Sequence, residues 1–387
     1  IILSVCVIII FNLTNAFYCP TANNNIINYN IVYTSDSGNL ITENAYMNTN
    51  ASQNDIRQIL FGLFAMPFAI CAMILSKIFF FIPHAYPIFI AIIQIIVLQF
   101  TILFISRMLG IQSIYKTLFY ILFNVTYPTL LFSLNMEQYV FLTFWLIVFI
   151  YAHFRGKEND YYYIAATGSL LTSGILFPLL YSPSNKPSKK ISNILLTAIK
   201  FLSILIVFGR FPRILSLGDY VTRLMRFTGI GLSFKDKFYQ YSQFIASCFV
   251  KPDASIALNA KNYLSFQLEP VQTLQYIGLI ILAFVLLGFI LNYRQRFAQI
   301  CLGWVVYSFI ILCILGWGTP ENGLILYTLY FSWAFISLAY LTIIKTLGER
   351  PLTKYIIIAL IIALFVLNIT GIYDIIRFGI HYYPAGV

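Results

Sequence analysis

Two carboxylates in a polar stretch near the start of the chain are the first residues whose types could do chemistry. The stretch Cys19–Arg57 is rich in Asn, lies between apolar runs, and carries Asp36 and Glu43 seven residues apart. On a helix this spacing would place both acids on one face, and on a loop the two could converge. Transfer of a glycosyl group to a hydroxyl needs a carboxylate that accepts the hydroxyl proton. Asp36 and Glu43 are therefore candidate catalytic residues, and the alternative is that an aqueous loop carries a few solvated acids.

A second acid near the first could also bind a divalent cation. Mg²⁺ or Mn²⁺ prefers oxygen ligands, and such a cation neutralises a phosphate leaving group. Glu137, in the short link NMEQ, and Glu321, in GWGTPENG, are further acids with this potential. The other interpretation of both is a carboxylate that stabilises the start of the following helix. Metal-assisted and metal-free chemistry both stay open.

Four arginines could hold an anion. Arg210, Arg213, Arg223 and Arg226 follow an apolar run, and guanidinium groups bind phosphate or pyrophosphate through paired hydrogen bonds. Contact with lipid headgroups explains the same residues equally simply. Lys200 lies within an apolar span, where a charge marks a function or a partner unless its long side chain reaches back to the cytoplasmic boundary.

Composition defines the class of protein that must position these residues. The chain has 387 residues, of which 60% are hydrophobic, 18% aromatic and only 10% charged. A soluble domain is about 25% charged, so this chain cannot coat a soluble surface. It is an all-α polytopic membrane protein. The net charge of +11 therefore reports the distribution of loops across a membrane and not nucleic-acid binding. The six Cys are scattered, without metal-ligand spacing.

The apolar runs predict about 11 transmembrane helices in a single domain, residues 1–387, since about 20 apolar residues cross a hydrocarbon core. Ile59–Lys77 contains Pro67 and is expected to lie along or dip into the outer face, so residues 18–86 form a first outer loop with an interfacial helix. Tyr161–Tyr181 is expected to form two half-spans. Residues 209–271 are expected to form a second long outer segment, with helices on the membrane surface.

The opening run Ile1–Phe11 has two interpretations. It is expected to be the outer part of a first transmembrane helix, and the alternative is the core of a signal peptide that ends near Ala16. No A-x-A cleavage pattern lies between Asn12 and Ala16, which favours the helix.

Basic residues fix the predicted orientation, because cytoplasmic loops carry an excess of Lys and Arg. With Ile59–Lys77 not crossing, the outer links outside residues 209–271 hold three cations, namely Arg57, Lys77 and Arg377. The cytoplasmic links hold twelve, namely Arg107, Lys116, Arg155, Lys157, Lys186, Lys189, Lys190, Arg294, Arg296, Lys345, Arg350 and Lys354. The same orientation places Asp36, Glu43, Glu137 and Glu321 on the outer side.

Several stretches taken together resemble the GT-C superfamily of polytopic glycosyltransferases. An acidic first outer loop, TSDSGNLITEN, is followed by DIRQILFGLFAMP, and the next span ends in the basic ISRMLG. FSLNMEQYVFLTFWLIVFIYAHF is similar to the acidic outer link and following helix of the family. ENGLILYTLYFSWAF and HYYPAG are similar to its late helices and tail. Triad, P-loop and Rossmann patterns are absent from the sequence.

The resemblance implies a GT-C-like fold and an inverting glycosyltransferase in a bacterial inner membrane. Its partners would be a polyprenyl-phosphate sugar donor, a glycan or lipid acceptor and membrane lipids. The family's catalytic acid lies in the first outer loop and corresponds to Asp36, assisted by Glu43 or Glu137, while the arginines after Phe208 would hold the donor phosphate. A transporter or flippase of lipid-linked saccharides and a polysaccharide polymerase or ligase are the alternatives.

The predicted orientation is testable by cysteine labelling. In a background without the six native Cys, single Cys residues at Asn50 and Gly379 should both react with a membrane-impermeant maleimide added to intact cells, because the basic-residue count places both outside. A Cys at Tyr293, in a cytoplasmic link, should react only after permeabilisation. Labelling of one outer position without the other would rule out the 11-span orientation.

Overall fold

The computed structural model shows a mostly helical chain. Its helices follow from the apolar runs, since helices satisfy their own backbone hydrogen bonds inside hydrocarbon. The structure describes residues 32–33, 40, 43–48, 50–51, 55–82, 85–157, 160–180, 187–215, 218, 221–222, 225–258, 264–269, 272–319 and 324–383.

The longer helices carry the architecture, and short 3-10 or π turns join several of them. The α-helices are α1 (Phe61–Ile78), α2 (Ala85–Met108), α3 (Ser113–Asn124), α4 (Tyr127–Leu134), α5 (Tyr139–Phe154), α6 (Asp160–Ser169), α7 (Pro187–Val207), α8 (Phe211–Leu215), α9 (Phe234–Ser247), α10 (Gln272–Asn292), α11 (Arg296–Ser308), α12 (Thr328–Leu347) and α13 (Pro351–Tyr382). The 3-10 helices are Ile56–Gln58, Leu171–Leu180, Met225–Phe227 and Leu324–Tyr327, and a π turn covers Phe309–Ile314.

Several of these helices are long and apolar enough to cross a membrane, which makes the chain a multi-pass membrane protein. Among the described residues, six helices qualify by length and composition, or seven if the bent pair α3–α4 counts as one span. The expected number of about 11 is not confirmed. One reason is that predicted spans such as Tyr139–Phe154 form shorter helices, and another is that Ile1–Phe11 lies outside the described residues.

The predicted interruption of Tyr161–Tyr181 is present. The α-helix α6 ends at Ser169, and a 3-10 helix, Leu171–Leu180, continues the chain. Gly168 lies where α6 meets the start of α1, and a Cβ there would come within 3.0 Å of Leu60 side-chain atoms. The backbone N–H of Leu60 donates to the carbonyl of Gly168 at 2.8 Å. This contact brings the chain just before α1 against the end of α6.

A buried asparagine in α13 forms a hydrogen bond with the backbone at the break between α3 and α4, where the two helices bend by 57°. Asn368 is 0% exposed, and its amide nitrogen donates to the carbonyls of Val125 at 2.8 Å and Phe249 at 2.7 Å. Its amide oxygen accepts from the N–H of Lys251 at 2.8 Å. One side chain therefore serves both the α3–α4 break and the end of α9.

A buried glutamine in α2 serves the other end of α4. The amide nitrogen of Gln94 donates to the carbonyls of Phe132 at 2.6 Å and Asn135 at 3.1 Å. Its oxygen accepts from the N–H of Glu137 at 3.1 Å. The link between α4 and α5 is thereby held inside the bundle.

Helices α2 and α12 run in the same direction. Just after their ends, the N–H of Gln112 donates to Glu349 at 3.1 Å. The hydroxyl of Tyr340, in α12, donates to the carbonyl of Tyr115, in α3, at 2.7 Å. Arg107 and Lys345 lie in the last turns of α2 and α12, as expected for a cytoplasmic end. We call the opposite end, where α2 and α12 begin, the outer end of the bundle, after the orientation that the basic residues predict.

Helix α1 has both of its flanks near that outer end. Before it, the Arg57 guanidinium lies 5.7 Å from the ring of Trp317, which precedes α12. After it, the ring of Phe79 lies 5.5 Å from that of Phe89, in the first turns of α2. The helix is continuous through Pro67, and by length and composition it could cross a membrane. Its contacts favour the predicted dip into the outer face, which the labelling experiment tests.

The segment 209–271 differs from the prediction in two ways. Helix α9 does not lie on a surface, because its second half is buried and crosses α10 so closely that a Cβ on Gly278 would come within 1.8 Å of the Ser242 carbonyl oxygen. The segment also contains an antiparallel hairpin of β1 (Ala254–Leu258) and β2 (Leu264–Leu268). The described chain is thus mostly helical, as predicted, with the addition of one small sheet.

We expect Asn368→Leu to lower the free energy of unfolding by about 2–3 kcal/mol, because two carbonyls and one N–H would lose a partner in a dry environment. Unfolding of the purified protein in mixed micelles, followed by circular dichroism in increasing denaturant, measures this. The matched control is Asn292→Leu, which removes one hydrogen bond to the carbonyl of Gly288 within α10. Equal losses in the two variants would contradict the role given to Asn368.

Candidate functional site

A cavity lies at the outer end of the bundle, where the chain enters α1. It has a volume of about 260 Å³ and walls that are mostly aromatic or aliphatic. We call it the Arg57 cavity, after the one Lys or Arg side chain among its described lining residues. The lining residues are Arg57, Gln58, Tyr139, Leu170, Thr172, Tyr307, Ile311, Leu312, Leu315, Trp317, Tyr327, Tyr330 and Phe331.

The short 3-10 helix Ile56–Gln58 positions the cation. Asp55 caps it, because one carboxylate oxygen accepts from the N–H of Arg57 at 2.8 Å. The other carboxylate oxygen accepts from Nε of the Arg57 side chain at 2.7 Å. The carboxylate of Asp55 thus fixes both the backbone and the side chain of Arg57, which directs the guanidinium toward the cavity.

The Arg57 guanidinium lies against two neighbouring aromatic rings, whose centroids are 6.0 Å apart. It is 5.9 Å from the ring centroid of Phe227 and 5.7 Å from that of Trp317, distances at which a cation is attracted to the ring face. Burial by itself lowers the pKa of the Arg57 guanidinium. The charge of Asp55 and the hydroxyls of Tyr139 and Tyr327 raise this pKa by a larger amount. The pKa of Arg57 therefore lies above its ordinary value. Arg57 therefore keeps its positive charge at any physiological pH.

Other polar groups in the wall are mostly paired with one another. The indole N–H of Trp317 donates to the hydroxyl of Tyr327 at 2.7 Å, and the hydroxyls of Tyr330 and Ser173 share a hydrogen bond of 2.7 Å. Gln58 is the exception, since it is 1% exposed and its side-chain oxygen has no hydrogen-bond partner in the described part of the chain. The cavity therefore combines one fixed cation with an apolar wall.

Such a cavity can bind an anion that is attached to an apolar group. The Nε of Arg57 is used by Asp55, and a guanidinium has four further N–H groups on its two terminal nitrogens. Those groups can bind two phosphate oxygens at once. An aromatic wall next to them suits an isoprenoid or a sugar ring better than a free, fully hydrated anion.

Two of the predicted acids, Asp36 and Glu321, lie outside the described residues, so their place relative to the cavity stays a prediction. Glu43 lies in a turn, residues 43–47, that is packed against the bundle. In this turn the Tyr46 ring lies 5.8 Å from that of Phe61 and 5.6 Å from that of Phe141. Glu43 is half-buried there, so the loop is not wholly solvated.

Glu137 differs from the expectation of an aqueous outer link, since it is 0% exposed. Its carboxylate accepts from the N–H of Gln138 at 3.0 Å, where α5 begins. This geometry agrees with the helix-start interpretation. Two residues on, Tyr139 lines the Arg57 cavity, so Glu137 lies behind the wall and not on its surface.

Only part of the predicted arginine cluster lies within the described residues. Arg210 is 2% exposed and follows α7 where Leu205 packs with Ile59 and Leu60, while Arg213 is half-buried in α8. Neither lines the cavity. The Arg223 residue and the Arg226 side chain lie outside the described part.

Lys200 has a partner, because it forms an ion pair with Asp160 at the start of α6. This pair explains a charge within an apolar helix without a functional role. The helix α7 that carries Lys200 otherwise exposes much of its apolar surface. Lys200 therefore does not line a central path.

The residues that form the Arg57 cavity were not predicted as a site. Arg57 was counted only as an outer cation, and Asp55 was noted only as the first residue of DIRQILFGLFAMP. The Asp-x-Arg spacing immediately before an apolar helix was an available signal, since an Asp at a helix start can also reach a side chain two residues on. The partners Phe227 and Trp317 come from distant segments and had no local signal.

No group of three or more His, Cys, Asp or Glu side chains within the described residues could hold a metal ion. The cavity, with its fixed cation and aromatic wall, belongs to a multi-pass membrane protein. No protein-family model, curated protein or solved structure matches the chain.

Proposed function

We propose that the protein is a glycosyltransferase of the GT-C type that transfers a sugar from a polyprenyl-phosphate donor at the outer face of the membrane. The observation that carries the proposal is the Arg57 guanidinium, fixed by Asp55 at 2.7 Å, in a cavity with aromatic walls. A lipid-linked donor has the matching parts, namely a phosphate next to an isoprenoid and a sugar. It would reach the outer end of the bundle from the bilayer.

The reaction divides between a base and a phosphate-binding group. The base accepts the proton of the acceptor hydroxyl while the hydroxyl oxygen forms a bond to the anomeric carbon. The bond between that carbon and the phosphate oxygen breaks, and the polyprenyl phosphate leaves with the electron pair. Arg57 stabilises the charge that develops on the leaving phosphate. Asp36 is the proposed base, with Glu43 as the assisting acid on the same loop.

Glu137 takes a different part in this proposal from the one the sequence predicts. Its carboxylate is turned to the N–H of Gln138 inside the bundle. There it stabilises the start of α5 and thereby the position of Tyr139 in the cavity wall. It is a positioning residue and does not contact the donor.

A transporter of lipid-linked saccharides is the second candidate, and the interrupted helices favour it. Helices are interrupted between α3 and α4 and between α6 and Leu171–Leu180. Discontinuous helices often surround the substrate of a transporter. The ion pair of Lys200 with Asp160 counts against this candidate, because it removes a charge expected to line the path.

Binding of a lipid phosphate is the first test. We expect purified wild-type protein to bind undecaprenyl phosphate, and Arg57→Gln to bind it at least about tenfold more weakly, because a charge-assisted hydrogen bond to phosphate is lost. Undecaprenol, which lacks the phosphate, should bind equally to both proteins. The measurement is a change in melting temperature on titration with each lipid in detergent.

Arg377→Gln is the matched control, since Arg377 is an exposed cation near the outer end of α13 and outside the cavity. It should bind undecaprenyl phosphate as the wild type does. A loss of binding in Arg213→Gln with none in Arg57→Gln would move the phosphate site to the predicted arginine cluster.

Sugar transfer is the second test and concerns the base. Asp36→Asn keeps the size of the side chain and removes its charge, so it should bind undecaprenyl phosphate normally and lose at least about 100-fold in the transfer rate. Transfer is measured from radiolabelled polyprenyl-phosphate sugars to the lipids and glycans of the host membrane. A variant that transfers at the wild-type rate shows that Asp36 is not the base. Facilitated movement of the donor between leaflets without transfer would support the transporter.

A further inference from the structure

A second cavity lies in the inner half of the bundle, between α10, α12 and α13, with a volume of about 510 Å³. It shares no lining residue with the Arg57 cavity. Ile336, Tyr340 and Leu364 on its floor are buried, whereas Ile280 and Ile356 on its rim are 69% and 39% exposed. We call it the inner groove, because it lies in the inner half of the bundle and its rim is exposed.

The two hydroxyl side chains in the wall of the inner groove already donate hydrogen bonds within the protein. The hydroxyl of Tyr340 donates to the carbonyl of Tyr115 at 2.7 Å, and that of Thr346 donates to the carbonyl of Thr342 at 2.7 Å. The remaining lining residues are aliphatic, alanine or phenylalanine. An occupant in contact with this wall must be hydrocarbon, since a polar group there would lose its hydrogen bonds.

The length of the inner groove matches one leaflet. On α12 it extends from Ile336 to Leu347, and eleven residues of helix rise by about 16 Å. Half of a hydrocarbon core of about 30 Å is about 15 Å. An acyl chain of one leaflet has this reach, whereas a partner helix that packed here would continue along the outer half of α12 as well.

Positive charge lies near the inner end of the groove. Arg350 lies in the turn between α12 and α13, while Lys345 lies in the last turn of α12 and Lys354 in the first turn of α13, and all three are exposed. Nε of Arg350 lies 3.6 Å from the position of a Cβ on Gly348, the residue that follows Leu347 of the groove. The one acid of this turn, Glu349, accepts a hydrogen bond from Gln112 on the side of α3. Three cations at the cytoplasmic boundary suit an anionic headgroup.

We propose that the inner groove binds an anionic diacyl phospholipid of the inner leaflet. One acyl chain lies in the groove, and the phosphate lies near Lys345, Arg350 and Lys354. The bilayer already solvates acyl chains, so the groove alone gives little preference. The headgroup charge provides the selectivity. The lipid completes the packing of α13 against α12, and α13 carries Asn368.

The test is lipid retention by the full chain, measured by native mass spectrometry after exhaustive delipidation in detergent. We expect one molecule of phosphatidylglycerol to bind, about tenfold more tightly than phosphatidylcholine with the same acyl chains. The triple variant Lys345→Gln, Arg350→Gln, Lys354→Gln should lose that preference, because it removes the positive charge that attracts the anionic headgroup.

The matched control removes three cations at the same boundary away from the groove, in Arg107→Gln, Arg155→Gln, Lys157→Gln. This variant should keep the preference for phosphatidylglycerol. Ala339→Phe fills the groove, and it should reduce retention of both lipids while the protein still migrates as a single species in size-exclusion chromatography.

The result that overturns the proposal is equal binding of the two lipids to wild-type protein, or an equal loss in the control triple variant. Retention that is unchanged in Ala339→Phe would show that the acyl chain lies elsewhere. A stable dimer that phosphatidylglycerol does not dissociate, and that Ala339→Phe breaks, would assign the groove to a second copy of the chain.

Discussion

Inside a membrane every backbone N–H and carbonyl needs a partner within the protein, and the interrupted path of α4 depends on how this need is met. Gln94 satisfies three backbone groups at the end of α4. Asn368 satisfies one backbone group before α4 and two that follow α9. Without them the irregular backbone would be too costly in hydrocarbon. With them, α5 begins inside the bundle, and its first residue, Tyr139, becomes part of the cavity wall.

The sequence predicted the class of protein and the interruption of Tyr161–Tyr181, because composition and helix-breaking residues are local signals. The sequence predicted more complete membrane spans than the structure contains among its described residues. An apolar run does not show how far a helix extends across the bilayer. The run that ends at Leu134 became the bent pair α3–α4. The β-hairpin Ala254–Leu258 with Leu264–Leu268 was missed because its strands are short and lie in a segment whose charge suggested surface helices.

The candidate site was only partly predictable, for a different reason. From the sequence, a charged residue can be judged only by its type and its neighbours in the chain. Arg210 and Arg213 were therefore favoured as phosphate ligands, because they lie near further arginines. The structure instead gives Arg57 an aromatic environment from Phe227 and Trp317. That environment is created by tertiary contacts across more than 150 residues of chain. Asp36, the acid that the sequence ranked first, keeps its role as a prediction.

The hydrogen bond between the Asn368 side chain and the carbonyl of Val125 joins residues that are 243 positions apart. A ribosome adds about 5–20 residues per second, so the carbonyl would wait roughly 10–50 s for its partner during synthesis. Until α13 is inserted, water or a neighbouring segment must donate a hydrogen bond to the Val125 carbonyl at the bend. Final closure of the bundle is thus a late event in biogenesis. A chain that stops before α13 should be recognised by membrane quality control even though its earlier helices are already inserted.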